Sequence, residues 1–578
     1  VSSNASLLLT RVAEERPTQK ALLYSEGGVD CWLTYAELEA LCNQYAQGLR
    51  TFGIRPGDKV LLMESQGVRF IALTLALFRL AAIPVLIDPG MGLENLLKCV
   101  TKNKPDILIG VSKAQLLRSL YSKVFSTVRR SICTDGRWLG ASPLWRVCPP
   151  HGPVLTPVNC PPEQPAAIIF TSGSTGPPKA VVYRHGIFHA QVEALREMFD
   201  FVPGEIDMPG FPLFAILSLA LAQTCYLPPI NPSKPSSVKP QQLIGPINDF
   251  GISQLTGSPA IWDKVGQYCH ARGIKLPSVK RVFTFGAAIS LDLVKTWHQI
   301  LGPTGDIYTP YGATEALPVA SIGGRQLLND CAAHALGGGG SCVGKPNSSV
   351  EVRIVKTTDE VISDWKEDLV LGVGQIGEVV VSGPVVTWSY EGEQEATRAS
   401  KIIQGDRIWH RMGDLGYLDQ QGQLWIVGRK SHRVQGRSQL YYPVSVENML
   451  DGHPDVARTA LVGVGPGQDQ IPVIVIEPKH LSLMAKTAEK QRIIRELKER
   501  LVDHPEYGDI KQFLFHPRFP VDRRHNAKIH REELAEWAKS QVQIATPAKD
   551  ERATSALSSG EVQESDSSAT DQGSEKSE

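Results

Sequence analysis

Neither sign of charge prevails in this sequence: 60 Lys+Arg against 60 Asp+Glu give a formal net charge of zero at pH 7. No global field points to nucleic acid or to an anionic membrane. Paired cysteines are missing as well. The 10 cysteines stand singly between Cys31 and Cys342, with no C-x-x-C. That argues against a disulfide framework or a zinc site and fits a reduced, cytoplasmic enzyme. The N-terminus, Val1-Ser2-Ser3-Asn4, has no basic stretch leading into an apolar core, so no signal peptide is expected. No internal repeat is visible. One uncharged run, Met208 to Asn231, has the length to span a bilayer. Prolines at 209, 212, 228, 229 and 232 break it, leaving a buried helix from about Leu213 to Tyr226 and no transmembrane segment.

What is present is ordinary for a globular protein: 42% hydrophobic and 21% charged residues over a length of 578. Such a chain holds several cores. Early on, helices alternate with strands. Thr34 and Glu37 form a capping box, followed by an amphipathic spacing at Leu38, Leu41, Tyr45 and Leu49. The strand Val60-Leu61-Leu62-Met63, a helix from Val68 to about Leu80 and the strand at Ile83-Pro84-Val85-Leu86 come next. This alternation predicts an α/β fold with mostly parallel sheets. Further strands are expected at 281–285, 379–381, 424–427, 460–464 and 473–476, and helices at 444–450 and 485–501. After 540 the sequence turns to Ser, Glu, Asp, Ala and Gln, a composition that predicts a disordered tail over 541–578.

The chemistry concentrates first in Thr171-Ser172-Gly173-Ser174-Thr175-Gly176-Pro177-Pro178-Lys179. Apolar runs at 166–170 and 180–183 flank it, so the loop should join two strands. Small residues let backbone N–H groups face one centre, hydroxyls add donors and Lys179 brings a charge, which suits a polyphosphate. It is not the GxxxxGK[ST] loop, because two prolines separate the last glycine from the lysine. The second concentration is Tyr311-Gly312-Ala313-Thr314-Glu315. Gly312 should permit a tight turn, Tyr311 offers a ring for stacking, and Glu315 is a hard oxygen ligand of the kind Mg²⁺ takes beside phosphate oxygens. Alone, Glu315 would read as a solvated acid at a helix start.

These motifs resemble the adenylate-forming superfamily of acyl-CoA synthetases, peptide-synthetase adenylation domains and luciferases. Its members join a carboxylate to ATP, giving an acyl-adenylate and pyrophosphate. The resemblance extends to about residue 540 and implies a large N-terminal domain of several subdomains (1–428) hinged to a small α+β C-terminal domain (429–540). It implies that Gly286, Ala287 and Ala288 border adenine, that Thr314 lies near the α-phosphate, and that Glu315 holds Mg²⁺. By the same likeness Asp414, in His410-Arg411-Met412-Gly413-Asp414, takes the ribose hydroxyls, with Met412 where relatives have threonine. Arg429 matches the hinge arginine that contacts ribose and phosphate, and Lys528, in Arg524-His525-Asn526-Ala527-Lys528, stands at the catalytic lysine's place. Phe211, Leu213 and Phe214 fall where relatives line the acyl pocket, and their apolar character suits a hydrocarbon tail.

Within the superfamily the motifs look most like the β-lactone-forming branch of bacterial olefin biosynthesis. Its members adenylate a long-chain 2-alkyl-3-hydroxy acid, whose own hydroxyl then displaces AMP. The resemblance thus implies ATP and Mg²⁺ as cofactors, a long-chain 3-hydroxy acid as substrate, and other enzymes of an olefin or β-lactone pathway as partners. A fatty acyl-CoA or acyl-carrier ligase is the alternative. One departure bears on the choice. Thiol-using relatives usually carry Gly-Arg-x-Asp-Asp-x-Ile-Lys at the hinge, whereas this chain has Gly428-Arg429-Lys430-Ser431-His432-Arg433-Val434-Gln435. The hinge acid and the following lysine are both absent.

Overall fold

The computed structural model describes residues 2–150, 154–171, 178–231, 233–521 and 529–542. Two large sheets and two small ones, of three and two strands, carry the fold among the described residues. The seven-stranded sheet runs in the order Ser142–Pro143, Arg130–Cys133, Ile107–Gly110, Lys59–Met63, Ile83–Leu86, Pro165–Phe170, Ala180–Arg184. All its pairs are parallel except the last, which joins the two strands flanking the 171–179 loop. Both faces are buried: Val60 and Leu62 enter one hydrophobic cluster and Leu61 another. Continuous apolar runs, rather than alternating ones, are what such a two-sided sheet requires.

The second sheet has 14 strands and changes character along its width. From Lys20–Glu26 through Thr224–Tyr226, Ile206–Pro209, Gln254–Gly257 and Arg281–Thr284 to Asp306–Ala313 the pairs are parallel. Beyond Asp306–Ala313 they are antiparallel, through Ala316–Gly323, Ser341–Pro346, Leu424–Arg429, Arg407–Leu418, Gly377–Ser382 and Glu351–Val355. The predicted α/β class therefore holds. Sequence alternation did not announce the antiparallel wing, because several of its successive strands, such as Asp306–Ala313 with Ala316–Gly323 and Arg407–Leu418 with Leu424–Arg429, follow one another with no helix between them.

Local expectations hold in most places. The helix Tyr35–Phe52 starts on the predicted capping box, with Glu37 accepting from Thr34 N at 2.7 Å, and stops at Gly53, whose φ is 99°. The run after Pro212 departs from expectation. Its helix ends at Ala220, Ala222 takes a φ of 58°, and Thr224–Tyr226 is a strand. Cys225 and Tyr226 register with Leu22 and Leu23, so sheet pairing claims residues whose apolar character alone fits either state. Among the described residues no helix is long and apolar enough to cross a membrane.

A smaller C-terminal unit is built on a three-stranded sheet, Val456–Val464, Ile471–Pro478 and Gln512–Phe515, with helices Pro443–Leu450, Thr487–Glu499 and Arg531–Gln541. Arg429 still belongs to the large sheet, paired with Asp414. At the other end, Val542 is buried against Leu534 and Ala538. The remainder of the expected tail, 543–578, lies outside the described residues.

Candidate active site

The two large sheets meet where the segment 387–393 crosses from the antiparallel wing to the strand Ala180–Arg184. Val182 N donates to Ser389 O at 3.2 Å, and Glu391 N donates to Ala180 O at 2.8 Å. A cavity of about 1450 Å³ opens at this junction. It runs past the C-terminal ends of the parallel strands of both sheets, where ligand crevices of open α/β sheets form.

Most expected site residues converge on its wall: Thr171, Lys179, Gly286, Tyr311, Gly312, Ala313, Thr314, Glu315 and Arg429, together with Phe211, Leu213 and Phe214. Ala287, Ala288 and Asp414 do not reach the wall. Ser172, Gly173, Ser174, Thr175, Gly176 and Lys528 lie outside the described residues. Thr171 N donates to Lys179 O at 3.0 Å, closing the base of the loop between them.

The hairpin of strands Asp306–Ala313 and Ala316–Gly323 presents Thr314 and Glu315 at its tip. Gly312 sits inside the first strand, so the turn expected at it is displaced to 314–315. Its hydrogen is needed for a different reason: a Cβ there would come within 2.7 Å of Ala316 O. Three contacts fix the tip. Tyr183 Oη donates to Thr314 O at 2.7 Å, Thr387 N donates to Glu315 O at 2.8 Å, and Tyr390 Oη donates to Glu315 Oε1 at 2.7 Å. Burial and the Glu315 carboxylate push the Tyr390 phenol far up, so it remains a donor. The same ring lies 5.1 Å from Lys179 Nζ and bridges the two principal motifs.

Behind the wall, Tyr311 Oη donates to Asp414 Oδ2 at 2.7 Å, and Arg429 Nε lies 3.1 Å from Asp414 Oδ1. The carboxylate holds the Arg429 guanidinium above its ordinary value. Tyr311 and Arg429 reach the cavity, with Asp414 anchoring both. On the opposite side the wall is apolar, with the Phe214 ring tilted against Phe285 at 4.6 Å and meeting Phe211 edge-on at 5.9 Å.

Sequence reasoning assigned no role to Tyr390, Thr387 or Lys401. Lys401 is buried, and its Nζ donates to Thr387 O. Burial lowers it from 10.5 to about 7, with Glu315 opposing and Lys179 assisting. Its strand partner His410 lines the cavity and is held well below its ordinary value by burial and by Lys401. No residue pattern marks Lys401, which sits before two isoleucines in a short strand. Nor does any motif named from the sequence reach Tyr390 or Thr387, which lie in the segment between the strands Gly377–Ser382 and Lys401–Gln404.

Just past Arg429 the chain is tied to residues 358–359. Lys430 Nζ donates to Thr358 O at 3.0 Å, and Arg433 Nη2 pairs with Asp359 Oδ2 at 2.5 Å. Ser431, which stands where the resemblance leads one to expect the hinge acid, lines the cavity.

A model of the AMP-binding enzyme family matches residues 9–391. The olefin beta-lactone synthetase of Xanthomonas campestris pv. campestris is 40% identical over 554 residues, 93% of this chain and 98% of that protein. That of Stenotrophomonas maltophilia is 38% identical over 93% of this chain and 99% of its own. Among solved structures, ATP-bound MatB from Rhodopseudomonas palustris aligns with a TM-score of 0.74 over 94% of this chain and 100% of its own. At 20% identity that likeness speaks for the fold alone.

Proposed function

The chain belongs to the AMP-binding enzyme family as an AMP-forming ligase, and we propose that it adenylates a long-chain 2-alkyl-3-hydroxy acid and closes it to a β-lactone. One observation carries the reading. A single cavity joins the polar group of Lys179, Thr314, Glu315 and Arg429 to the apolar wall of Phe211, Leu213 and Phe214. The likeness to two olefin beta-lactone synthetases over 93% of the chain supports the choice of product.

In the first step a carboxylate oxygen of the acid bonds to the α-phosphorus of ATP, and the bond to the β-phosphate oxygen breaks, releasing pyrophosphate. Tyr311 stacks on adenine, Arg429 binds the ribose side, Asp414 holds both of these side chains from behind the wall instead of meeting the ribose hydroxyls itself, and Lys179 neutralises the phosphates. Glu315, with Oε1 steadied by Tyr390, would hold Mg²⁺, which would supply charge neutralisation on the phosphates. Among the described residues no group of three or more His, Cys, Asp or Glu gathers to hold a metal; one carboxylate shared with phosphate oxygens fits Mg²⁺. Lys528 is assigned, from sequence alone, to the charge developing between carboxylate and α-phosphate. In the second step the 3-hydroxyl oxygen bonds to the acyl carbon, the bond to AMP breaks and the hydroxyl proton leaves. A nucleophile already attached to the substrate replaces the entropy of recruiting a second one.

The test supplies a 2-alkyl-3-hydroxy acid, its 3-deoxy analogue and CoA, with ATP and Mg²⁺. The lactone is expected only from the hydroxy acid, with the deoxy analogue stalling as acyl-adenylate. Efficient acyl-CoA formation from either would replace this reading with that of a thioester-forming ligase.

A further inference from the structure

Beside the apolar wall the cavity meets a buried polar cluster that none of these steps uses. Asp207, on the strand Ile206–Pro209, is 0% exposed. Its Oδ2 accepts from Ser218 Oγ at 2.6 Å and its Oδ1 from Thr256 Oγ1 at 2.9 Å. Gln254 and the Met208 backbone contribute further hydrogen bonds to the carboxylate. Among the described residues no Lys, Arg or His forms an ion pair with it. Burial pushes the carboxyl up to about 6, against the pull of these donors, so at neutral pH it is ionised.

An ionised carboxylate buried without a cation is costly, and an aliphatic tunnel has no need of one. Yet the groups that satisfy it, Ser218, Gln254 and Thr256, all line the cavity while being nine-tenths or more buried. The direction of the hydrogen bonds defines what they can recognise. A hydroxyl has one hydrogen and two lone pairs. Thr256 directs that hydrogen to Asp207, and Ser218, which has both Asp207 Oδ2 at 2.6 Å and Phe214 O at 3.1 Å within reach, places its hydrogen on the nearer, charged oxygen; with either acceptor the hydrogen is taken, which leaves both hydroxyl oxygens able only to accept. A plain hydrocarbon beside them strands no donor, because the hydroxyl hydrogens are already placed. A carbonyl or ether oxygen meets lone pairs. An O–H group gains a bond to an acceptor backed by negative charge.

The register fixes where along a bound acid this happens. Thr256 is level with Phe283, and Phe283 with Tyr308. The Gly312–Glu315 run begins four residues beyond Tyr308, roughly 13 Å at about 3.3 Å per residue. The cluster therefore lies along the hydrocarbon arm, away from the reacting carboxyl and its 3-hydroxyl.

We propose that Ser218 and Thr256, oriented by Asp207, form a hydrogen-bond-accepting notch that binds a hydroxyl group carried on the acyl chain remote from the carboxyl. The notch assigns a substrate class, chain-hydroxylated long-chain acids, and two specificity residues. It rests on the proposed function only in that the cavity takes an acyl chain.

The experiment compares one saturated long-chain acid with regioisomers bearing a single hydroxyl at successive mid-chain positions. Binding is read by displacement of a fluorescent fatty acid, which needs no catalysis, and adenylation by ATP–pyrophosphate exchange. At least one regioisomer should bind roughly tenfold more tightly than the saturated acid, as a hydrogen bond to a charge-backed acceptor implies. Thr256→Val and Ser218→Ala should each shrink that ratio severalfold. If a variant fails to fold, the wild-type comparison decides alone. A saturated acid that binds as tightly as every regioisomer overturns the notch, as does a preference that survives both substitutions. Loss of exchange with all acids, with the binding preference intact, would count against the adenylation reading and leave the notch standing.

Discussion

Replacing Lys401 with methionine should make the protein more stable near neutral pH, and the gain should vanish in alkali. The side chain is 4% exposed, and among the described residues no carboxylate pairs with it. Its fall from 10.5 to about 7 corresponds to roughly 5 kcal/mol, at about 1.4 kcal/mol per pH unit. The sign follows from proton counting. Between pH 7 and 10.5 the unfolded chain holds the lysine proton and the folded chain does not, so wild-type stability rises with pH across that window. At or below pH 7 the full cost of burying the ammonium is present. Methionine, of similar length, removes the cost but leaves Thr387 O without its donor, a loss of about 1–3 kcal/mol. The net gain near pH 7 is then about 2–4 kcal/mol, turning to a small deficit near pH 10. Melting temperatures of both proteins at pH 6.5, 8 and 9.5 check this. A difference that is flat with pH, or a variant less stable at every pH, would refute the account of a charged, desolvated lysine.

The other expectations concern the site and the chain end. Glu315→Gln should raise the Mg²⁺ needed for half-maximal ATP–pyrophosphate exchange, since one hard anionic ligand is lost; an unchanged titration would remove Glu315 from the metal. Lys179→Ala should weaken ATP and pyrophosphate binding, read by calorimetry. Lys528→Ala should cost roughly 3 kcal/mol in the forward adenylation barrier, on the scale of a lost oxyanion donor, and a wild-type single-turnover rate would cancel its assignment. A chain ending at Ser540 should melt lower than one ending at Val542, because Val542 is buried against Leu534 and Ala538 and a buried valine is worth about 1.5 kcal/mol or more; equal melting curves would contradict that packing.

How much of this was legible beforehand divides by the range of the interactions. The helix Tyr35–Phe52 and the strands either side of the 171–179 loop were readable, because capping chemistry and buried two-sided strands leave local patterns. Thr224–Tyr226 was not, since its strand identity comes from pairing with Leu22 and Leu23, some two hundred residues away. Gly312 shows a subtler limit. Its importance could be inferred, but the reason, a close approach of Ala316 O, belongs to the hairpin's register and not to a turn.

The site repeats the pattern one level up. Lys179, Glu315, Asp414 and Arg429 could be proposed separately, each from its own motif, yet nothing in those motifs says how they are held. The structure couples them through tyrosines. Tyr311 ties its strand to Asp414, and Tyr390 touches both Glu315 and the face presented to Lys179. Tyr390 can do so because the segment 387–393 leaves the antiparallel wing and pairs with the strand Ala180–Arg184 of the other sheet. Lys401 then holds Thr387, at the start of that segment, by its carbonyl. A lysine that costs stability where it lies, and whose hydrogen-bond partners among the described residues are both on Thr387, is best understood as the fastening of this crossing. Removing it should therefore trade tighter folding for looser placement of Glu315, so that the Lys401→Met protein, though harder to melt at pH 7, should need more Mg²⁺ for exchange. A stabilised variant with a wild-type Mg²⁺ titration would show that the crossing does not depend on Lys401.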